Sequence, residues 1–337
     1  MRFGPSSDQL ALRDAVRALL RDRCTSADVR RAWHEGGAGY DAATWSGLAE
    51  MGVLGLLAPE AAGGAGLGAV ELVLACEEAG SVALPGPLVE HAAVAVPALA
   101  EAGAEAGADV LSAAAAGSLL VATAPAGERV EGAAAADVLL LVRDGVAHLV
   151  DPATATLTPE RSVDGARRGA RVGWQGGQPL PSVDVGAMTD RGAVATAAQL
   201  VGLAAAMVRR TVAYVSQRKQ FGVPVGSFQA VKHQLADAHL RVEYARPVVL
   251  RAAYALDAGE VTRSRDCSAA KVAAGRGAEL AGRVALQCHG AIGYTAEHDL
   301  HLWLKRSWSL QAAWGTTAAH RWRVADAVLG PAREVSR

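Results

Sequence analysis

From Phe228 onward, apolar residues recur at alternating steps of three and four: Phe228, Val231, Leu235, Ala238, Val242, Ala245, Val249, Ala252 and Leu256. That period is one face of a long α-helix, and a stripe of this length has to be buried against other helices. Similar patterns predict helices over about 187–217, 262–289 and 315–329, so residues 183–337 are expected to form a helix bundle.

The rest of the chain differs. Residues 1–115 read as a helical domain: Ser6 or Ser7 can cap a helix with Leu10, Ala15, Leu19 and Leu20 on one stripe. A second helix runs through Trp45, Leu48 and Met51 to Gly52, a third covers about Ala69–Gly80, and a fourth follows Pro87. Between them, Pro59–Leu67 is rich in glycine. As a phosphate loop it is a weak match, since no Lys-Ser/Thr follows and no strand clearly precedes it. Residues 116–182 hold strand-sized runs (Ser118–Thr123, Asp137–Val142, Val146–Val150), with Asp144-Gly145 as a hairpin turn. The expected fold is mainly α: a helical head, a small β-domain and a C-terminal bundle.

Composition limits the function. Hydrophobic residues make up 51% of the chain, enough to bury a large core, which excludes disorder. The balance of 33 basic and 34 acidic residues leaves no electrostatic footprint for nucleic acid. Cys24, Cys76, Cys267 and Cys288 are scattered, without metal-ligand spacing, and read as buried small side chains in a reducing compartment. The uncharged Val110–Gly127 run is too Ala-rich and too broken to predict a membrane span, and the N-terminus lacks a secretory signal. A cytoplasmic protein is expected.

Two segments are specific. One is Arg218-Lys-Gln220-Phe221-Gly222-Val-Pro224-Val-Gly226-Ser-Phe228-Gln229; the other is Gln287-Cys288-His289-Gly290-Ala291-Ile-Gly293-Tyr294-Thr295. Gly222, Pro224 and Gly226 predict a tight connector leading to the N-terminus of the Phe228 helix, where backbone N–H groups favour an anion. Arg218 can bond a phosphate oxygen, Gln220 can donate to another, and Phe221 offers a flat wall for a ring. Gln287 can hydrogen-bond adenosine or phosphate groups, and Gly290 permits close backbone approach. His289 reads as a packed or locally bonded histidine.

At these residues the chain resembles an acyl-CoA dehydrogenase. The head agrees, with Trp45, Leu48, Gly52, Leu56, Pro59, Gly63, Gly64, Gly66, Leu67, Glu77, Glu78 and Gly80 similar to the family's N-terminal domain. The resemblance implies a three-domain fold with a four-helix bundle, an acyl-CoA substrate, and FAD at a subunit interface. It implies FAD-tail contacts from Arg218, Gln220, Phe221, Phe228, Gln287, Cys288, Gly290 and Ala291, the last replacing the family's usual second glycine. It also implies an electron-transfer flavoprotein as acceptor.

The chain departs from the family where chemistry is concentrated. The family removes an α-proton with a carboxylate, often the Glu of a Glu-Gly-Thr segment before the last helix. Here that segment reads Trp314-Gly315-Thr316, and indole cannot act as a base. In other members the base precedes the first bundle helix, where Asp190 is the nearest candidate; Asp190 also reads as the N-cap of a helix starting near Gly192. The family's Gly-Ser-Asp flavin-ring segment is missing from Val121–Glu128, where Thr123 and Pro125 resemble remnants. Three functions fit: a subunit of an α2β2 assembly whose homologous partner brings the carboxylate, a self-associating dehydrogenase using Asp190, or a non-catalytic scaffold. The short, base-lacking form resembles partners in actinobacterial steroid β-oxidation, with polyketide and fatty-acid pathways equally open.

Overall fold

The computed structural model describes residues 4–34, 39–103, 106–125, 127 and 129–330. Its head is helical: α1 (Ser7–Arg23), α2 (Ser26–Ala32), α3 (Ala42–Glu50), α4 (Ala69–Ser81), a π-helical turn (Val89–Ala95) running into α5 (Val96–Ala102), and α6 (Ala108–Ala115). Ser6 caps α1 reciprocally: its hydroxyl accepts from the Gln9 N–H, and the Gln9 side chain accepts from the Ser6 N–H at 2.8 Å. Thr25 and Asp28 do the same for α2, a short helix that hydrophobic periodicity alone does not predict. The Pro59–Leu67 connector folds back on its own chain. Gly64, Ala65, Gly66 and Leu67 donate their N–H groups to Pro59, Gly55, Ala58 and Leu56, which leaves those amides committed rather than open to a phosphate.

The middle contains β1 (Val121–Thr123), β2 (Val130–Glu131), β3 (Val138–Arg143), β4 (Val146–Val150), β5 (Thr156–Glu160), β6 (Gly169–Gly173) and β7 (Gln178–Leu180). They form a four-stranded sheet in the order β1-β3-β4-β7, with β1 and β3 parallel, and an antiparallel sheet β2-β6-β5. Asp144 and Gly145, at φ 51° and 78°, make the two-residue turn between β3 and β4.

The C-terminal region comprises α7 (Val185–Gln217), α8 (Gln229–Asp257), α9 (Arg263–His289), α10 (Leu300–Ala312) and α11 (Thr317–Leu329). Helix α7 is the hub, buried along most of its length against α9, α4 and α8. It is long and apolar enough to cross a membrane, but 94% of its most apolar window is buried inside the protein, so it is core. Where α4 crosses it the backbones touch. A Cβ at Gly202 would come within 1.9 Å of the Glu77 carbonyl oxygen, and one at Gly80 within 2.1 Å of that of Gln199. These two glycines join the head to the bundle.

One expectation is corrected here. Asp190 does not cap α7. Asp184 does, its side chain accepting from the Ala187 N–H at 3.0 Å, and the helix begins seven residues earlier than Gly192. Asp190 lies within the helix and is fully buried.

Burial pushes the thiols of Cys24 and Cys76 up to about 12, as suits inert core side chains. His91 ties the head to the sheet: its Nε2–H donates to the Ala114 carbonyl at 3.0 Å and its Nδ1 accepts from the Val121 N–H at 3.1 Å. Burial lowers its pKa from 6.5 to about 4, and that of His320 likewise. The unfolded chain therefore binds more protons than the folded one between these values. Stability is complete above pH 6.5 and falls as pH drops toward 4, by up to roughly 1.4 kcal/mol per pH unit for each imidazole. Urea midpoints measured across this range should fall accordingly, and the fall should shrink in His320→Gln. An unchanged slope in that variant would exclude His320 as a contributor.

Candidate functional site

Helix α7 ends at Arg218, and a small antiparallel hairpin follows: β8 (Lys219–Gln220) paired with β9 (Val223–Pro224). Its turn is Phe221-Gly222, with φ of 52° and 82°. A non-glycine residue in this left-handed region is uncommon. Here it holds the Phe221 ring out from the protein, 92% exposed, with the Phe228 ring 6.4 Å away between centroids. Arg218 and Gln220 are also exposed, and neither side chain has a hydrogen-bond or ion-pair partner among the described residues. Phe228 begins α8, with no side-chain cap on that helix.

The second motif comes to the same end of the bundle. Gln287, exposed, and Cys288, half-buried, lie in the last turn of α9; Gly290 and Ala291 start a 3-10 turn (Gly290–Tyr294) and are exposed. The two motifs are joined beneath the surface. Tyr214, one turn before Arg218, stacks on His289 with centroids 4.3 Å apart, and the His289 Nδ1–H donates to the Ala285 carbonyl at 2.7 Å. His289 is thus a packed residue. Burial lowers its pKa, which keeps it neutral at pH 7.

This edge fits a flavin's adenosine diphosphate end. It offers an unpaired guanidinium, amide donors and a flat aromatic side chain, all directed away from their own chain. Nothing among the described residues closes the site from the other side.

The Trp314 region is the reverse: everything is filled. Trp314 is 3% exposed and sits at φ 54°, followed by Gly315 at 94°. Lys271 of α9, fully buried, donates from Nζ to the carbonyls of Ala313 at 2.5 Å and Gly315 at 2.9 Å. The His320 Nε2–H donates to the Trp314 carbonyl at 2.8 Å, while its Nδ1 lies 3.1 Å from the Ser268 hydroxyl. The indole lies on Gly192 of α7, where a Cβ would stand 2.2 Å from Trp314 Cδ2. The buried carboxylate of Glu90, on the π-helical turn, neighbours the same indole. Burial raises the Glu90 pKa, and Arg167, 3.3 Å away, opposes that. Sequence reasoning did not single out Glu90 or Lys271. Lys271 carried a signal, as one of only four lysines and placed on an Ala-rich helix.

Asp190 is next to this region but turned from it. Ser264 donates to one carboxylate oxygen at 2.5 Å and Arg323 to the other at 2.8 Å, with Arg263 at 3.9 Å. On β1, Thr123 is fully buried; Ala126 and Glu128 lie outside the described residues.

Comparison with known proteins identifies the family. Residues 6–118 match the acyl-CoA dehydrogenase N-terminal domain, and residues 185–329 match the C-terminal domain. Acyl-CoA dehydrogenase IpdE2 of Mycobacterium tuberculosis is 32% identical over 315 residues, 90% of this chain and 92% of that protein. The chain belongs to the acyl-CoA dehydrogenase family. With it come the family's FAD and its CH–CH oxidoreductase class.

Acyl-CoA dehydrogenase FadE34 of the same organism is 33% identical over 90% of this chain, which spans only 45% of FadE34. Among solved structures, a variant of the Tcur3481–Tcur3483 steroid ACAD superposes with a TM-score of 0.87 at 26% identity, covering 96% of this chain and 98% of the other. The ChsE4–ChsE5 complex from Mycobacterium tuberculosis gives 0.88 at 21%, covering 99% and 100%, a likeness of fold. Homologues of this acyl-CoA dehydrogenase therefore form complexes of unlike chains.

Proposed function

We propose that this acyl-CoA dehydrogenase works as one subunit of a heteromeric enzyme, giving the FAD-tail contacts while a related partner brings the catalytic carboxylate and the flavin-ring contacts. The observation that carries this is Trp314. It is buried at the segment where the family's Glu-Gly-Thr base is expected, beside Glu90 and packed on Gly192. A side chain locked in this way neither abstracts a proton nor leaves space for a thioester α-carbon. The exposed Arg218, Gln220, Phe221 and Gln287 support the other half, because polar groups that find no partner among the described residues, beside an open ring, suit a cofactor held across an interface.

FAD, when bound, supplies the hydride acceptor for α,β-dehydrogenation of the acyl-CoA thioester. In this reading the Arg218 guanidinium pairs with a diphosphate oxygen, and Gln220 and Gln287 donate to diphosphate or ribose oxygens. Phe221 and Phe228 wall the site, and Gly290, Cys288 and Ala291 admit the tail to the backbone. A steroid-derived acyl chain is the substrate class suggested by the relatives. Using Asp190 as base in a self-sufficient enzyme is less favoured, since both of its oxygens already accept from Ser264 and Arg323.

The test is flavin content. Arg218→Ala should weaken FAD retention by the assembled enzyme roughly tenfold to a hundredfold, the worth of one charge-assisted phosphate contact. Adding Gln287→Ala should weaken it further. Flavin absorbance of the assembled protein after gel filtration measures both. Full FAD occupancy in the double variant would falsify the tail assignment.

A further inference from the structure

About two turns of α7 before Arg218, a cleft of about 430 Å³ is lined by α1, α2, the end of α4, α7 and α10. Arg21, Arg209, Arg210, Ser26 and Trp303 are among its lining residues. Trp303 is buried and fixed by its Nε1–H, which donates to the Ser81 carbonyl at 3.0 Å. The Arg210 guanidinium lies over that indole, 3.5 Å from the ring centroid, and its Nη2 is 3.4 Å from Ser26 Oγ. A planar group so stacked is held ready for a ligand.

The charge in this cleft does not balance. Three carboxylates around it are already committed. Glu78 takes both Arg17 contacts, at 3.0 and 2.7 Å. Asp299 takes both from Arg30, at 3.1 and 2.7 Å. Asp28 is held by Thr25 and Arg31. Among the described residues, Arg21, Arg209 and Arg210 make no ion pair, although Arg17, Arg30, Arg246 and Arg306 nearby are all paired. Burial lowers the guanidinium pKa of Arg209, where Arg21, Arg246 and Arg17 add repulsion against the pull of Glu78. Burial lowers that of Arg210 too, with Asp299 opposing and Arg209 adding to the shift. Clustered cations without counter-charge are unfavourable until an anion joins them.

We propose that the Arg21–Arg209–Arg210 cleft is a binding site for a diphosphate-bearing anion, separate from the flavin-tail edge at Arg218 and Gln287. Guanidinium forks match phosphate oxygens in pairs, and three of them suit a diphosphate better than a single carboxylate. The volume lies within the range of small-molecule sites, so a nucleoside attached to the diphosphate can be admitted as well.

The experiment is calorimetric titration of the purified full chain carrying Arg218→Ala, which weakens competition from the flavin-tail edge. The two probes are inorganic pyrophosphate and ADP. Saturable, salt-sensitive binding of one equivalent is expected. Tighter binding of ADP assigns a nucleotide as the source, and equal binding of the two assigns the diphosphate alone. Arg209→Gln and Arg21→Gln, at side chains that reach solvent and lie outside the apolar core, should each weaken binding roughly tenfold, while Arg209→Lys keeps most of it. Circular dichroism confirms that the variants are folded. Absence of saturable binding for both probes overturns the proposal, and so does binding that neither Gln substitution changes.

Discussion

Purified without a partner, this chain should oxidise acyl-CoA roughly 10²–10⁴-fold more slowly than the assembly formed with its related subunit, the span that general-base catalysis contributes. The lone chain should also be nearly colourless, and the assembly should hold one FAD per pair of unlike subunits. The physical reason is a division of parts. The flavin-tail edge is open to solvent, and the Trp314 segment is closed by an indole with no basic lone pair. In the proposed division the carboxylate comes from the partner, and a paired assembly of related chains keeps closed symmetry while giving each active site both halves. Dye-linked turnover and flavin absorbance, measured on the chain alone and co-expressed with homologues, check this. Robust turnover by the chain alone, abolished by Asp190→Asn, would instead establish the self-sufficient enzyme. Flavin bound by an assembly with no turnover at all would leave the scaffold.

Much of this architecture is legible before any coordinates. The stripe from Phe228 to Leu256 gives α8 almost to the residue, because its exposed and buried faces differ strongly. The turn at Asp144-Gly145 is equally plain, since few residue pairs tolerate two left-handed conformations. Other elements are obscured for identifiable reasons. Helix α2 has only seven residues, too few for a period to show, though the Thr25…Asp28 box marks its start. Helix α10 breaks its own apolar stripe with Arg306, buried because it pairs with Asp164 and donates to the Leu84 carbonyl at 2.9 Å. Leu88–Leu99 is buried nearly all round, so its pattern does not reveal a π-helical turn or that Glu90 meets the Trp314 indole. The site divides in the same way. Motif spacing brings out Arg218 and Gln287, which lie exposed at the surface, whereas Lys271 and Glu90 gain meaning only from what lies across the core from them.

The Trp314 plug can be tested by stability alone, with no reference to catalysis. Trp314→Ala removes a buried indole and should cost about 3–5 kcal/mol in denaturant unfolding. Gly192→Ala in the natural background should cost about 1–3 kcal/mol, because its Cβ would stand 2.2 Å from an indole pinned by neighbouring bonds. Those bonds explain why the ring cannot simply move: Lys271 holds the carbonyls on either side of it and His320 holds its own. In the Trp314→Ala background the same methyl enters vacated space. There Gly192→Ala should become stabilising, by about 0.5–1 kcal/mol, the ordinary gain for alanine over glycine inside a helix. The sign reversal is the signature, since two independent sites would add. Urea midpoints for the four proteins of this cycle decide the matter. If Gly192→Ala costs the same with and without the indole, then the ring does not rest on α7 and the segment is free to open.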